Sequence, residues 1–395
     1  MHEGPRSCAF PPRVVRNLKS YAIMHLDTHA ATIRSDGACT IYKKRFMPCN
    51  LYLEETRDSN PDVRFNNRAN YCYWLGTRLL SPRRKYAEEI FCSLGLKPAA
   101  ADPGRAAITV SFHALCLTDV YWVRELREHV SYNEISLYDF DLTDAFADVS
   151  LRGHVMSAKE AGLLRQGDFA CDLSTSGLAP KAWIRRDGTF WLLKGGSEKE
   201  VEAELTASRI ARCFDVDQVL YEPMDFRGQR VCQSRLITSK ERSIVPAEYV
   251  TVYADNLGKS LYEMAKTNDA YGYHMMNILD YLTGNTDRHW GNWGFWADSQ
   301  DNRLGKLHPL MDFNQAFHAY DTPEGARCLT AEGHLSQREA AVQGVQAVGL
   351  NQIHALPEDL SSLFGTVNQL FQSRLDKMFM KRLQILKEAE NPRKM

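Results

Sequence analysis

Asp287 and Asn292 form a D-x-x-x-x-N pair inside L-T-G-N-T-D-R-H-W-G-N-W-G-F, and Asp312 follows downstream in L-H-P-L-M-D-F-N-Q-A-F. Phosphoryl transfer needs this inventory. One carboxylate must meet the acceptor hydroxyl, while a second carboxylate and a carboxamide hold magnesium against the phosphates. Asp and Asn supply the hard oxygen donors that magnesium prefers. The D-x-x-x-x-N pair alone recurs by chance. A D-R-H-x-x-N loop after an apolar helix, followed by a strand-like run ending in Asp, is more specific. The competing reading is a polar loop capping two helices, which leaves Asp287, Arg288 and His289 crowded between apolar runs at a desolvation cost. Arg288 and His289 either stabilise transferred charge or brace the loop.

Such a site also needs a strand lysine for the phosphates and a helix glutamate to orient it. Lys194 ends the run W-L-L-K, and Glu204 lies in V-E-A-E-L-T-A-S-R-I-A-R. Glu202 competes with Glu204, but on a helix the two point in different directions. Glu204 is favoured because a small or apolar face continues from it through Ala207, Ala211 and Phe214. Upstream, D-L-S-T-S-G-L-A-P-K places Ser174, Thr175, Ser176 and Gly177 in a turn read as lying between strands. Its amides can face a phosphate, with Lys181 assisting. A simple hairpin is the bland alternative. The order of turn, lysine, glutamate, catalytic loop and metal Asp makes the set stronger than any member.

The elements that position these residues fall into three zones. Residues 1–145 read as a mixed α/β region of unassigned role. Strands and turns run from Tyr21 to Glu54, with a turn at Ser35-Asp36-Gly37. Ser81-Pro82 opens a predicted helix through Phe91 and Leu94, ending near Gly95. Asp119 is read as the cap of another helix carrying Val120, Val123, Leu126 and Val130. Residues 146–247 are strand-rich: Ala182–Ile184 and Phe190–Leu193 flank the turn Arg186-Asp187-Gly188. A helix from Glu200 to Phe214 and a strand from Val231 to Ile237 follow. Residues 248–395 are mostly helical, with one helix ending at Leu282 before the stop signal Gly284-Asn285. Amphipathic helices follow through Leu363 to Leu386. The expected fold is α+β: a two-lobed atypical kinase core, strand-rich lobe first, preceded by the mixed region.

Bulk properties agree with a multi-unit globular chain. The 395 residues are 44% hydrophobic and 25% charged, a composition able to bury a sizeable core. A net charge of -1 offers no global basic field for nucleic acid or an anionic membrane. The ten cysteines form no C-x-x-C pair. They read as free thiols in a reducing cytoplasm rather than as a zinc site. The first residues, through Arg13, lack a signal-peptide core. No run reaches a membrane span. A soluble, cytoplasmic protein is expected.

At the level of motifs the chain resembles the HipA-like serine/threonine kinases. The turn S-T-S-G-L-A-P-K is similar to their S-x-G-x-x-P-K-like turn, and E-L-T-A-S-R-I-A-R-C-F-D-V to their glutamate-bearing helix. The resemblance runs from about Val149 to Phe317. It implies ATP and Mg2+ as cofactors. It also implies Asp287, Asn292 and Asp312 as catalytic residues, the last two binding the metal. The nucleotide falls to Lys194, Glu204, Ser174, Thr175, Ser176, Gly177 and Lys181. The acceptor is then a Ser or Thr of a protein, and a hydroxyl of the turn is a candidate for autophosphorylation. An antitoxin-like, DNA-binding partner follows by analogy only. The catalytic loop also resembles that of type II phosphatidylinositol 4-kinases, so a lipid or small-molecule acceptor on the same core is one alternative. A pseudokinase binding module is another, against which the intact Lys194, Asp287, Asn292 and Asp312 count.

Overall fold

The structure is a computed structural model that describes residues 18–56, 60–99, 101–142 and 144–390. The leading segment through Arg13, read above for its lack of a signal core, lies outside the described residues.

The chain opens with strands β1 (Ser20–His25), β2 (Thr28–Arg34) and β3 (Cys39–Ile41). Helices α1 (Pro61–Thr77), α2 (Ala87–Ser93) and α3 (Asp102–Ser111) follow, then β4 (Tyr121–Glu125) and the single turn α4 (Tyr132–Ile135). The strands pair antiparallel in the order β3-β2-β1-β4. Two expectations are corrected here. The segment after Asp119 is strand β4, not a helix, and both its faces are covered. Trp122 enters a core with Phe91 and Phe112, while Tyr121 and Val123 enter another with Ile33 and Trp74. A short apolar run buried on both sides does not reveal its period. Asp119 caps no helix. It accepts from the Tyr121 amide at 2.9 Å and pairs with Arg78 at 2.8 Å. Likewise, Ser81-Pro82 begins a turn, and α2 starts only at Ala87.

Next come α5 (Ala147–Arg152), α6 (Ala158–Ala161) and α7 (Gln166–Leu173). A second antiparallel sheet holds β5 (Lys181–Arg186), β6 (Thr189–Lys194), β7 (Glu222–Phe226) and β8 (Gln229–Arg235), ordered β5-β6-β8-β7. Helix α8 (Glu198–Ala211) connects β6 to β7. Its start is fixed by a reciprocal cap: the Ser197 amide donates to the Glu200 carboxylate at 2.7 Å, and the Glu200 amide to the Ser197 hydroxyl at 3.3 Å. One hydrophobic core links the first sheet to this one, running from Met24 and Trp122 through Phe146 and Leu173 to Phe190.

The remainder is mainly helical. It comprises β9 (Arg242–Pro246), α9 (Ala247–Asn256), α10 (Leu261–Thr283), β10 (Gly294–Asp298), β11 (Leu304–Leu307), α11 (Gln337–Val348), α12 (Ser361–Phe371) and α13 (Leu375–Glu390). The small sheet β11-β10-β9 takes up the chain directly after the Asp287–Asn292 loop. Helix α10 ends where the sequence placed its stop. Gly284 takes φ +59, and a Cβ there would lie 2.4 Å from the Tyr320 ring, so no other residue fits without displacement. The main core packs Trp293, Phe295, Phe313, Phe317, Phe364 and Phe379 together. Among the described residues, no helix is long and apolar enough to cross a membrane, and each described cysteine is free.

Candidate functional site

The strand lysine and the helix glutamate meet. Lys194, the last residue of β6, is 4% exposed, and Glu204 on α8 is 1% exposed. The Lys194 ammonium lies 2.5 Å from Glu204 Oε2 and 2.9 Å from Asp312 Oδ1. Glu204 uses its other oxygen to accept the Phe313 amide at 2.8 Å. The α8 carboxylate therefore ties the β6 lysine to the backbone of the D-F-N segment. Glu202 goes elsewhere: it accepts from Arg230 and lies 3.9 Å from Arg209.

Electrostatics follow from this geometry. Burial disfavours the Lys194 ammonium, but Asp312 and Glu204 outweigh it and hold the amine well above its ordinary range. Burial likewise opposes ionisation of Asp312. Lys194, Lys181 and Arg288 overcome that and keep its carboxyl well below the usual carboxylate range. Asp312 also sits at φ +63, a left-handed conformation uncommon outside glycine, which is the kind of local strain found at functional positions.

The loop after α10 brings in the other candidates. Asn292 Nδ2 donates to the Asp287 carbonyl at 2.8 Å, and no hydrogen bond engages its carboxamide oxygen among the described residues. The Asp287 side chain is 43% exposed. Burial raises its pKa, against the opposing pull of His289. Arg288 braces the loop. It is buried, forks onto Asp280 at 2.9 and 3.0 Å, and bonds the carbonyls of Asn292 and Met311. With those contacts it cannot reach a transferred group. His289 stays exposed beside Asp287, its Nε2 4.0 Å from the carboxylate. Its Nδ1 accepts from the Gly291 amide at 3.0 Å, an arrangement that holds only while the ring is uncharged, with its proton on Nε2.

The Ser/Gly turn lies between helix α7 and strand β5, not between two strands as the sequence suggested. The amides of Ser174 and Thr175 are used by the helix end, bonding Ala170 and Asp172 carbonyls at 3.0 and 3.3 Å. Their hydroxyls both donate to the Cys171 carbonyl. The Ser176, Gly177 and Leu178 amides have no hydrogen bond among the described residues. Gly177 takes φ +93, the left-handed region where glycine is favoured. Lys181 points back across this turn, its ammonium 3.1 Å from the Ser176 carbonyl, and it pairs across the sheet with Lys194.

Lys194, Asp312, Asp287, His289, Asn292, Lys181 and the Ser/Gly turn line one cleft of ≈ 960 Å³, whereas Glu204 and Arg288 do not. Among the described residues, no cluster of three or more His, Cys, Asp or Glu forms a metal centre. Among the oxygen donors that line the cleft are those of Asp312 and Asn292, a hard pair that fits magnesium. Asn314 Oδ1, in the same D-F-N segment, is a buried acceptor without a partner. Free amides, two lysines and oxygen donors in one cleft fit a nucleotide triphosphate with its metal. Sequence reasoning did not find Asp280, which fixes Arg288 from inside α10. It also missed Tyr221, whose ring lies 5.0 Å from the Lys194 ammonium. Asp280 had a signal: a buried-face Asp one turn before the helix stop, facing an Arg just beyond it.

Together the two lobes and the cleft define an α+β fold of the kinase class. The chain has the HipA-like kinase fold. It is similar to HipA in the solved Shewanella oneidensis MR-1 toxin–antitoxin complex of HipA, HipB and operator DNA. That likeness has a TM-score of 0.55 at 13% identity and covers 94% of this chain and 99% of that one. A Helicobacter pylori proinflammatory kinase, CtkA, matches with a TM-score of 0.42 at 14% identity, over 54% of this chain and 91% of that one. The sequence matches no protein-family model and no curated protein.

Proposed function

We propose that the chain is an ATP- and magnesium-dependent phosphotransferase, a HipA-like kinase acting on a Ser or Thr hydroxyl of a protein. The observation that carries this reading is the buried Lys194–Glu204–Asp312 web locked to the Phe313 amide. A structural ion pair has no need to reach into a cleft beside a second loop carrying Asp287 and Asn292. Asp312 and Asn292 hold the metal, which neutralises phosphate charge when bound. Lys194 contacts the phosphates, positioned by Glu204. The Ser176, Gly177 and Leu178 amides cradle them, with Lys181 beside the turn. Asp287, exposed enough to meet an acceptor and raised toward neutrality, orients the hydroxyl and takes its proton. In this reading residues 146–247 form the strand-rich lobe and 248–395 the helical lobe.

The similar HipA was solved with HipB and operator DNA. By analogy, a DNA-binding protein partner in the cytoplasm is part of the proposal. Calorimetry with a non-hydrolysable ATP analogue and magnesium tests the core claim. Saturable, magnesium-dependent binding is expected. A folded sample that binds nothing overturns it. Labelled ATP with candidate proteins, read by mass spectrometry at Ser and Thr, then tests the acceptor class.

A further inference from the structure

The segment Leu80–Lys85 lies far from the motifs in sequence, yet its Leu80, Arg84 and Lys85 bond the backbone before, within and after the Ser/Gly turn. The Leu80 amide donates to the Leu173 carbonyl at 2.6 Å, just before the turn. The Lys85 amide donates to the Leu178 carbonyl at 3.0 Å, inside it. Between them stands Arg84, 2% exposed. One arm of its guanidinium bonds the Asp172 carbonyl at 3.1 Å, and the other bonds the Lys181 carbonyl. Asp172 precedes the turn and Lys181 ends it, so a single planar group spans both ends.

We propose that Arg84 is a positioning residue for the phosphate-facing turn, so that the first region of the chain sets nucleotide affinity. This rests on the reading of the cleft as an ATP site. Among the described residues no hydrogen bond engages the Ser176, Gly177 and Leu178 amides, and Gly177 is left-handed, so inside the turn only side-chain bonds, such as the Lys181 ammonium on the Ser176 carbonyl, hold its shape. The segment Leu80–Lys85 reaches the turn and its ends through backbone carbonyls, so the clamp acts on the turn's conformation and not on its side chains. The fork is essential, because lysine offers a point charge that cannot reach two carbonyls in fixed geometry. The second end of the clamp also matters chemically. Lys181 faces Lys194 across the β5–β6 register, so fixing the Lys181 carbonyl fixes the strand that flanks the phosphate lysine. Arg84 itself is held rigid by its neighbours: its amide bonds the Ser81 carbonyl at 2.9 Å, and the Ala87 amide bonds its own carbonyl at 3.0 Å.

The test uses the full chain with Arg84→Lys. In nucleotide-free protein, exchange of the Lys85, Ser174 and Thr175 amides, which are hydrogen-bonded onto the turn or at its start, should rise by about tenfold, while β10 and α10 stay unchanged. Affinity for the ATP analogue should fall by about tenfold, with the loss appearing in KM for ATP more than in kcat. The control is Arg382→Lys. Arg382 is 0% exposed and also bonds three carbonyls, those of Tyr281, Ala319 and Thr322, but in the helical lobe. That variant should lose stability and leave turn exchange and nucleotide affinity alone. Unchanged turn exchange in Arg84→Lys overturns the proposal, and so does faster exchange with unaltered nucleotide affinity. If wild type binds no nucleotide, the ATP reading falls, and the exchange measurement still decides whether Arg84 clamps the turn. Should Arg84→Lys fail to fold, Arg84→Gln answers the same question by the same two measurements.

Discussion

The two walls of the cleft are held by opposite means. On one side, Lys194, Glu204 and Asp312 hold each other through charge, side chain to side chain, in a buried web. On the other, the Ser/Gly turn is held through its neutral backbone carbonyls, by two amides and one guanidinium from a distant segment. The difference is energetic. Removing one ion from a buried web leaves the others uncompensated and damages the whole lobe. Loosening a backbone clamp frees only what it clamps. The first wall should therefore couple chemistry to stability, and the second should couple it to local motion.

The largest expected effect isolates chemistry from both walls. Asp287 belongs to neither web nor clamp, and its side chain is partly exposed. Asp287→Ala should cut the rate of transfer by about 10²–10⁴-fold in single-turnover assays while calorimetry finds nucleotide affinity nearly unchanged. If it lost nucleotide binding as badly as Asp312→Ala, the division of labour in the loop would be wrong. Next is the charged wall itself. Lys194→Met strands the buried Glu204 carboxylate and the partly buried Asp312, so a loss of about 3–5 kcal/mol in urea unfolding is expected together with lost nucleotide binding. Full stability in that variant would show the web to be far more hydrated than its geometry implies.

The turn wall has its own titrating group. Asp172 is buried at the end of α7, where it accepts from the Ser150 hydroxyl at 2.6 Å and the Trp183 amide at 2.8 Å. Burial pushes its carboxyl up to about 6, against Arg84 and these hydrogen bonds. The folded protein thus keeps this proton to higher pH than the unfolded chain does. Its contribution is complete below the ordinary carboxylate range and is lost as pH rises to about 6. The shift corresponds to roughly 3 kcal/mol. Asp172→Asn should remove this dependence, so the stability difference between wild type and variant should drift across that window and flatten above it. Parallel curves at all pH values would refute the burial argument.

The same contrast explains what was legible in the sequence. The charged wall announces itself by residue type. Lys194 ends an apolar strand, Glu204 sits on a helix face of small residues, and Asp312 follows an apolar run, because ions beside apolar residues are rare without a purpose. Helix α10 was legible through its Gly284 stop. The clamp was not, since carbonyl acceptors carry no sequence signature and Arg84 in S-P-R-R-K falls among charged neighbours in what reads as the start of a helix. Strand β4 was misread because burial on both faces erased its period. Helix α1 escaped notice although Asn60 caps it and Pro61 opens it. Its buried residues Asn67, Tyr71, Trp74 and Leu75 are at helical spacing, but Phe65 and Tyr73 are exposed on the other faces and blur the stripe.

The smallest expected effect sharpens the choice between two glutamates, of which the sequence favours Glu204. Both Glu202 and Glu204 are buried, so burial alone does not separate them. Their partners do. Glu204 bonds a lysine that is 5% exposed at its side chain and the amide of Phe313. Glu202 pairs with Arg230 and Arg209, whose side chains are 54% and 43% exposed. Exposed arginines can turn to water when their partner is neutralised, whereas Lys194 cannot. Glu202→Gln should therefore cost no more than about 1 kcal/mol of stability and leave nucleotide affinity intact. Glu204→Gln keeps an acceptor for Phe313 but removes the charge that orients Lys194, and should weaken nucleotide binding by about tenfold. Calorimetry on the two variants side by side decides it. Equal losses of affinity would mean that α8 acts as a charged surface, and that the one-carboxylate link between β6 and the D-F-N segment is not what positions the lysine.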